Sequence, residues 1–302
     1  MIRFYSISYD GVQTELPSAK SWSFTRSDMA EGDSFQYEFP WESRLYTALK
    51  AATRIMVRQG SSRLFVGVVD EVTVTASLRG RLCRVSGRGL GGLLEDNEYP
   101  AQKHTALTAN GLFSAYVTPL GLSGEAQIAG ECELSVELGH SAMQAVRNFC
   151  RNLGWLPPRF LADGKLWLGS SRSNASLTVT TGNVIDALWR SNRKDVISQV
   201  NSVGKTGTAT YNNGAFIAEG GQHRLYFDES ALEISSMARI NESMRKRQTL
   251  TVTLPGTAAA EPSKLVPVKL PLLGIDETMY VISCRSSFDG RGLLCELDLA
   301  KY

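Results

Sequence analysis

Between Thr249 and Leu254 every second residue is apolar: Leu250, Val252 and Leu254 alternate with Thr249, Thr251 and Thr253. A period of two puts the apolar set on one side of an extended strand and the threonines on the other. The same period recurs where Trp22 and Phe24 alternate with Ser23 and Thr25, where Phe35, Tyr37 and Phe39 alternate with Ser34, Gln36 and Glu38, and where Val72 and Val74 alternate with Thr73 and Thr75. One-sided strands of this kind need a sheet with one covered face. That restricts the chain to antiparallel sheets closed into barrels or packed in layers.

The 302 residues are enough for about two domains at roughly 100–200 residues each. Residues 1–93 read as a first antiparallel barrel, opening with the alternating strand that starts at Met1 and including the turn "SLRGR" at 77–81. Residues 94–172 read as a small α/β unit. "LTANGLFSAYV" is helical up to Val117, and Ile128 to Leu138 is strand material. In a second helix Ala142, Ala145, Val146, Phe149, Cys150 and Leu153 share one face, with Ser141 and Gln144 at capping-box spacing and Gly154 at the exit. An Asp163-Gly164 turn then joins two strands, the second carrying Leu166 and Leu168. Residues 173–207 with 248–302 read as a second barrel. It includes strands at "ASLTVTTGN" and "DVISQVNSVGKTG" and a closing hairpin with its turn at Asp289-Gly290. Residues 208–247 read as a polar loop and a helical insert, capped by Ser230 and Glu233, with Ile234, Met237, Ala238 and Met244 as its apolar face. The expected fold class is mainly β with an α/β insertion: two tube-like barrels, a small α/β domain and a helical insert.

Gly87, Gly89 and Gly92 have the G-x-G-x-x-G spacing of a dinucleotide site. Such a site needs a doubly buried parallel strand before it and an acidic residue about 20 positions on for the ribose. The preceding strand carries Arg81 and Arg84 and reads as half of a hairpin, and no Asp or Glu lies between Glu98 and Glu125. Glycine is therefore read here as relief for the backbone where a barrel strand ends. His104, His140 and His223 show no metal-ligand spacing, and no G-x-S-x-G elbow is present. Carboxylate neighbours such as Asp70/Glu71 and Glu95/Asp96 read as solvated surface. Cys83, Cys132, Cys150, Cys284 and Cys295 have no C-x-x-C pair and read as buried free thiols. Arg239, Arg245, Lys246 and Arg247 cluster where cations suit the end of a helix, with a partner-binding patch as the other reading. Trp41, Trp155, Trp167 and Trp189 read as core or interface anchors. A net charge of +2 gives no support to nucleic-acid binding. The N-terminus has no signal-peptide core and no apolar run approaches the ~18 residues of a membrane helix, so synthesis in the cytoplasm without membrane insertion is expected. No catalytic, cofactor-binding or metal-ligating residue is assigned. The expectation is a chain that is not an enzyme.

"LFVGVVDEVTVT…LCRVSGRGLGGLLEDN" resembles the motif of baseplate hub proteins of contractile phage tails: Gly-x-Val-Asp in one strand, a hairpin, Val-x-Gly-Arg, then a short apolar segment ending in an acid. "TPLGL", "GHSAMQAVRNFCRNLGWLP", "DGKLWLG" and "MYVISCRSSFDGRGLLCELDL" follow in the order of that family. The likeness covers about residues 60–170 and 270–302, whereas 175–245 match by order of elements. Gly89 departs from the pattern, standing where the family more often has a larger or polar residue. The resemblance implies a homotrimer whose two barrels per chain make a pseudo-sixfold ring between a sixfold tail tube and a threefold spike, with kinship to type VI secretion spike proteins. Implied partners are the tail tube protein, the spike, and baseplate wedge or tape-measure proteins, and the implied location is the virion or a tail-like particle. An alternative is a tail-tip protein of a non-contractile phage with a carbohydrate-binding or peptidoglycan-degrading role.

Overall fold

The computed structural model describes residues 2–78, 80–204, 207–228, 233–245, 247–257 and 260–301. The first β unit comprises β1 (Ile2–Ser8), β2 (Gln13–Glu15), β3 (Ser21–Ser27), β4 (Ser34–Pro40), α1 (Tyr46–Lys50), β5 (Ala52–Gln59), β6 (Ser62–Ser77) and β7 (Gly80–Gly89). Its strands lie in the order β3-β4-β7-β6-β5-β1-β2, every pair antiparallel. The alternation sends Trp22, Phe24, Phe35, Tyr37 and Phe39 inward, where they are buried with Phe4 and Phe65. Phe4 stacks on Tyr37 at 4.1 Å between ring centroids.

The α/β unit follows with α2 (Gly91–Glu95), β8 (Gln102–Thr108), α3 (Ala109–Leu112, continued by tighter and wider turns to Leu120), β9 (Ser123–Ala126), β10 (Glu131–Val136), α4 (Ala142–Asn152), β11 (Arg159–Phe160) and β12 (Lys165–Leu168). α4 begins where its capping box places it: Ser141 Oγ accepts from the Gln144 amide at 3.2 Å. The helix buries Ala142, Ala145, Val146, Phe149 and Cys150, and it ends at Gly154 with φ +66°. β8 pairs with β10, while β12 lies between β11 and β9.

In the last part come β13 (Val179–Thr180), β14 (Asp186–Ser191), β15 (Gln199–Gly204), β16 (Gly207–Asn212), α5 (Gly214–Ala218), β17 (Leu225–Asp228), α6 (Glu233–Met244), β18 (Gln248–Pro255), β19 (Leu265–Leu270), β20 (Ile275–Asp289) and β21 (Gly292–Lys301). β14-β18-β21-β20-β19 run antiparallel, and the short β13 adds to β19 in parallel. Leu250, Val252 and Leu254 are buried and Thr249, Thr251 and Thr253 half-buried on the other face, as their period requires.

Three sequence-based expectations need correction. The segment 199–204, assigned above to a second barrel over 173–207, instead forms β15 in a separate sheet, β16-β15-β17. A strand pattern alone does not name its partner. Within "ASLTVTTGN" only Val179–Thr180 is strand, because the segment turns at once through Asn183, whose side chain accepts from the Thr180 amide. Of the expected apolar face of α6, Ile234 and Met237 are exposed and Ala238 and Met244 half-buried, while among the described positions the buried ones are Ser236 and Ile240. Ser243 Oγ accepts from the Ile197 amide. Ser230, the expected cap, lies outside the described residues.

The two β units share one plan. In chain order β3, β4, β5, β6, β7 correspond to β14, β18, β19, β20, β21, and the spatial orders β3-β4-β7-β6-β5 and β14-β18-β21-β20-β19 are the same. The final hairpins even share an irregularity: the register of β6 with β7 shifts between Val69 and Glu71, and that of β20 with β21 between Val281 and Ser283. β3 pairs with β20, so the two units are joined edge to edge in one continuous sheet.

Candidate functional site

From the end of β7 into α2 the chain is packed too tightly for a side chain at three glycines. A Cβ on Gly87 would land on the Val68 carbonyl oxygen, one on Gly89 on Asp33 Cβ, and one on Gly91 on the Ala30 carbonyl oxygen. β7 is antiparallel to both neighbours, and α2 is a single short turn. The glycines are thus used for shape, and the Gly89 departure from the family pattern is where Asp33 packs. Gly87→Ala is expected to destabilise by about 3 kcal/mol, because the carbonyl it strikes belongs to a paired strand that cannot recede. Gly182→Ala, where the nearest atom is Thr180 Oγ1 at 3.7 Å, should melt as the unaltered chain does.

The charged residues of the motif converge on Arg88. Its guanidinium donates to both Asp70 oxygens at 3.0 Å and to the two Asp96 oxygens at 2.9 and 2.7 Å. Asp70 and Asp96, read from the sequence as solvated surface, tie β6, β7 and α2 together. The hydrogen bond from Arg88 holds the Asp96 carboxyl below its ordinary value. Since Arg88 is more than one-third exposed, Arg88→Met should cost only ~1 kcal/mol. Its clearer signature is faster amide hydrogen exchange across residues 91–96.

The connector 28–33 reaches every unit. The Asp28 amide donates to Ile282 O at 2.8 Å, the Ala30 amide to Pro158 O at 2.9 Å, and the Gly89 amide to Asp33 O at 2.9 Å. The buried Asp28 carboxylate pairs with Arg245 beyond the end of α6, with Nε to Oδ2 at 3.0 Å, and Glu31 pairs with Arg147 of α4. Asp33 is fully enclosed, and its Oδ1 accepts from the Ser27 amide at 2.6 Å. Burial pushes its pKa up to about 8, against the opposing effects of that hydrogen bond and of Arg26.

A cleft of about 650 Å³ lies beside the connector, between α4, α6 and the 154–158 segment. Four of its arginines are engaged with acids, Arg147 with Glu31, Arg245 with Asp28, Arg151 with Glu242 and Arg247 with Glu219, and Arg172 lies over the Tyr280 ring at 4.1 Å. This is the chemistry of a seam. The basic cluster seen in the sequence is thereby resolved: Arg245 and Arg247 turn inward into ion pairs, Arg239 lies over the Tyr226 ring at 4.3 Å, and Lys246 is outside the described residues. His104 Nε2 meets the Tyr116 hydroxyl at 2.8 Å, and His140 lies near Glu137. Among the described residues no group of three or more His, Cys, Asp or Glu side chains could hold a metal. All five cysteines are free thiols. Four are buried, and Cys132 is half-buried.

Among the edges left bare in the described residues, two lie in the two β units, one in each. β5 covers β6 only as far as Val68, and among the described residues no strand pairs with the outer side of 71–76. Among the described residues β14 pairs with β18 alone. Exposed apolar residues sit on both: Val72 and Val74 on β6, Leu188 and Trp189 on β14. Trp189 is exposed at an edge and fits an interface anchor; Trp155 is core, Trp41 packs half-buried against the core of the first β unit, and Trp167 carries Arg159 stacked at 3.6 Å.

No family model matches the sequence, and no curated protein does. Solved structures do. The 43 kDa tail protein of prophage MuSo2 from Shewanella oneidensis aligns over 100% of this chain and 98% of its own, with TM-score 0.79 and 18% identity. A tail protein from Neisseria meningitidis MC58 aligns over 99% and 96%, with TM-score 0.77 and 18% identity. The E. coli c3393 protein, described as a type VI secretion component similar in structure to the T4 tail proteins gp27 and gp5, aligns over 94% and 74%, with TM-score 0.55 and 11% identity. From end to end, the fold of this chain is that of phage tail proteins.

Proposed function

We propose that this chain is a structural baseplate hub of a phage tail or tail-like injection particle. Three copies form a ring whose six β units present near-sixfold symmetry to the tail tube and threefold symmetry to the spike. The supporting observation is the duplication: two five-strand units of one plan, joined through β3 and β20, with a bare edge on β14 in one unit and on 71–76 of β6 in the other. Bare strand edges invite pairing, and a closed ring removes them. A head-to-tail contact between copies closes when its rotation permits, so a doubled unit in three copies fills six places. The polar faces, with Thr249, Thr251 and Thr253 on β18, suit a water-filled channel, and binding without turnover is the mode of action. The protein works within the baseplate of the particle.

Native mass measurement tests the reading. The expected species at micromolar concentration, alone or on addition of tail tube protein, is a trimer that images as a threefold ring. A chain that stays monomeric under both conditions overturns it.

A further inference from the structure

The internal joint between β3 and β20 supplies a template for the joint between copies. The hairpins β6–β7 and β20–β21 match at a constant offset: their turn pairs are Ser77 with Gly80 and Asp289 with Gly292 (289 − 77 = 212), and their bulges begin at Val69 and Val281 (281 − 69 = 212). Arg88 opposite Ser34 therefore matches Ala300 opposite Thr249. Ser34 lies opposite Thr25, and Thr249 opposite Arg190. β14 thus occupies the place of β3, with Arg190 standing for Thr25, and the bare stretch 71–76 of β6 occupies the place of 283–288.

We propose that residues 71–76 of one copy pair antiparallel with β14 and Asn192 of the next, in the register that β20 and β3 use within the chain. This rests on the ring reading above. The internal pair Ser286–Phe24 becomes Val74 opposite Trp189, and Arg285–Thr25 becomes Thr73 opposite Arg190. The exposures agree. Ser286 and Phe24 are 5% and 3% exposed in their joint, whereas Val74 and Trp189, at the equivalent places, are 45% and 46% exposed in the single chain. An apolar pair stands uncovered where its counterpart is covered. Charge agrees too: Glu71 falls diagonal to Arg190 on the other face, within the ~7–8 Å over which such neighbours interact. With three such joints one sheet runs unbroken around the ring.

The test uses the full chain carrying Cys132→Ser to remove the half-buried thiol. Val74→Cys with Trp189→Cys should give covalent dimers and closed trimers on copper–phenanthroline oxidation, since opposite residues of an antiparallel pair lie within disulfide reach. Thr73→Cys with Trp189→Cys, whose side chains leave opposite faces, should give at least tenfold less. Separately, Trp189→Asp should abolish the trimer while leaving the melting profile of the monomer unchanged. A chain that forms trimers yet fails to cross-link at 74 and 189, or whose Trp189→Asp variant still assembles, overturns this joint and leaves the ring standing. If the unaltered chain never assembles, the ring fails and the joint with it.

Discussion

Arg245→Met is expected to lower stability by about 3–5 kcal/mol, the usual consequence of removing one member of a buried ion pair. Asp28 is 2% exposed, and Arg245 is its guanidinium partner. Methionine fills much of the same space, so the loss comes from stranding a carboxylate away from water rather than from a cavity. The double variant Arg245→Met/Asp28→Asn separates these causes. With no charge left to strand, it should regain at least half of the lost stability in thermal or urea unfolding. A double variant as unstable as the single one would mean that packing, and not charge, holds α6 to the connector. Because Asp28 also donates its amide to Ile282, the unfolding of the single variant should release the insert before the sheets.

Asp33 is expected to make the protein less stable as pH rises. Its folded pKa of about 8 stands above the ordinary aspartate value of about 4, so the folded chain keeps a proton that the unfolded chain loses. The stabilisation is complete below about pH 4 and disappears as pH passes through 8. Asp33→Asn keeps the oxygen that accepts from the Ser27 amide and cannot ionise. It should flatten the fall between pH 4 and 8 and gain up to about 5 kcal/mol above pH 8. Urea unfolding across pH 4–9 reads both chains. If the Asn variant falls as steeply as the unaltered one, the carboxyl is ionised in the fold and its burial has another compensation.

Much of this architecture is written in periodicity. The strands around Trp22, Phe35 and Leu250 and the helix capped by Ser141 stand where their patterns place them, because a period of two or of 3.6 is a local property. What depends on remote partners was not legible. β15 has an ordinary strand sequence, and nothing within it chooses β16 and β17 over β14. The connector, "SDMAEGDS", carries no motif that draws notice in the sequence, yet it joins every unit. Asp70 and Asp96 look like any exposed acids until the fold aims both at Arg88. The duplication itself is nearly silent, since matched positions such as Phe35 and Leu250, or Tyr37 and Val252, share only the property of facing inward.

The two units differ most in the link between their first two strands: 28–33 between β3 and β4, and 192–247 between β14 and β18. The α/β unit leaves β7 at that same end of the strands, beside Asp33. The opposite end carries two matching hairpin tips, Ser77–Gly80 and Asp289–Gly292. In the proposed ring, one rim would therefore be nearly uniform, six alike teeth for a partner that repeats six times. The other rim would be crowned by three bulky ornaments, and a partner reading that side can count only to three.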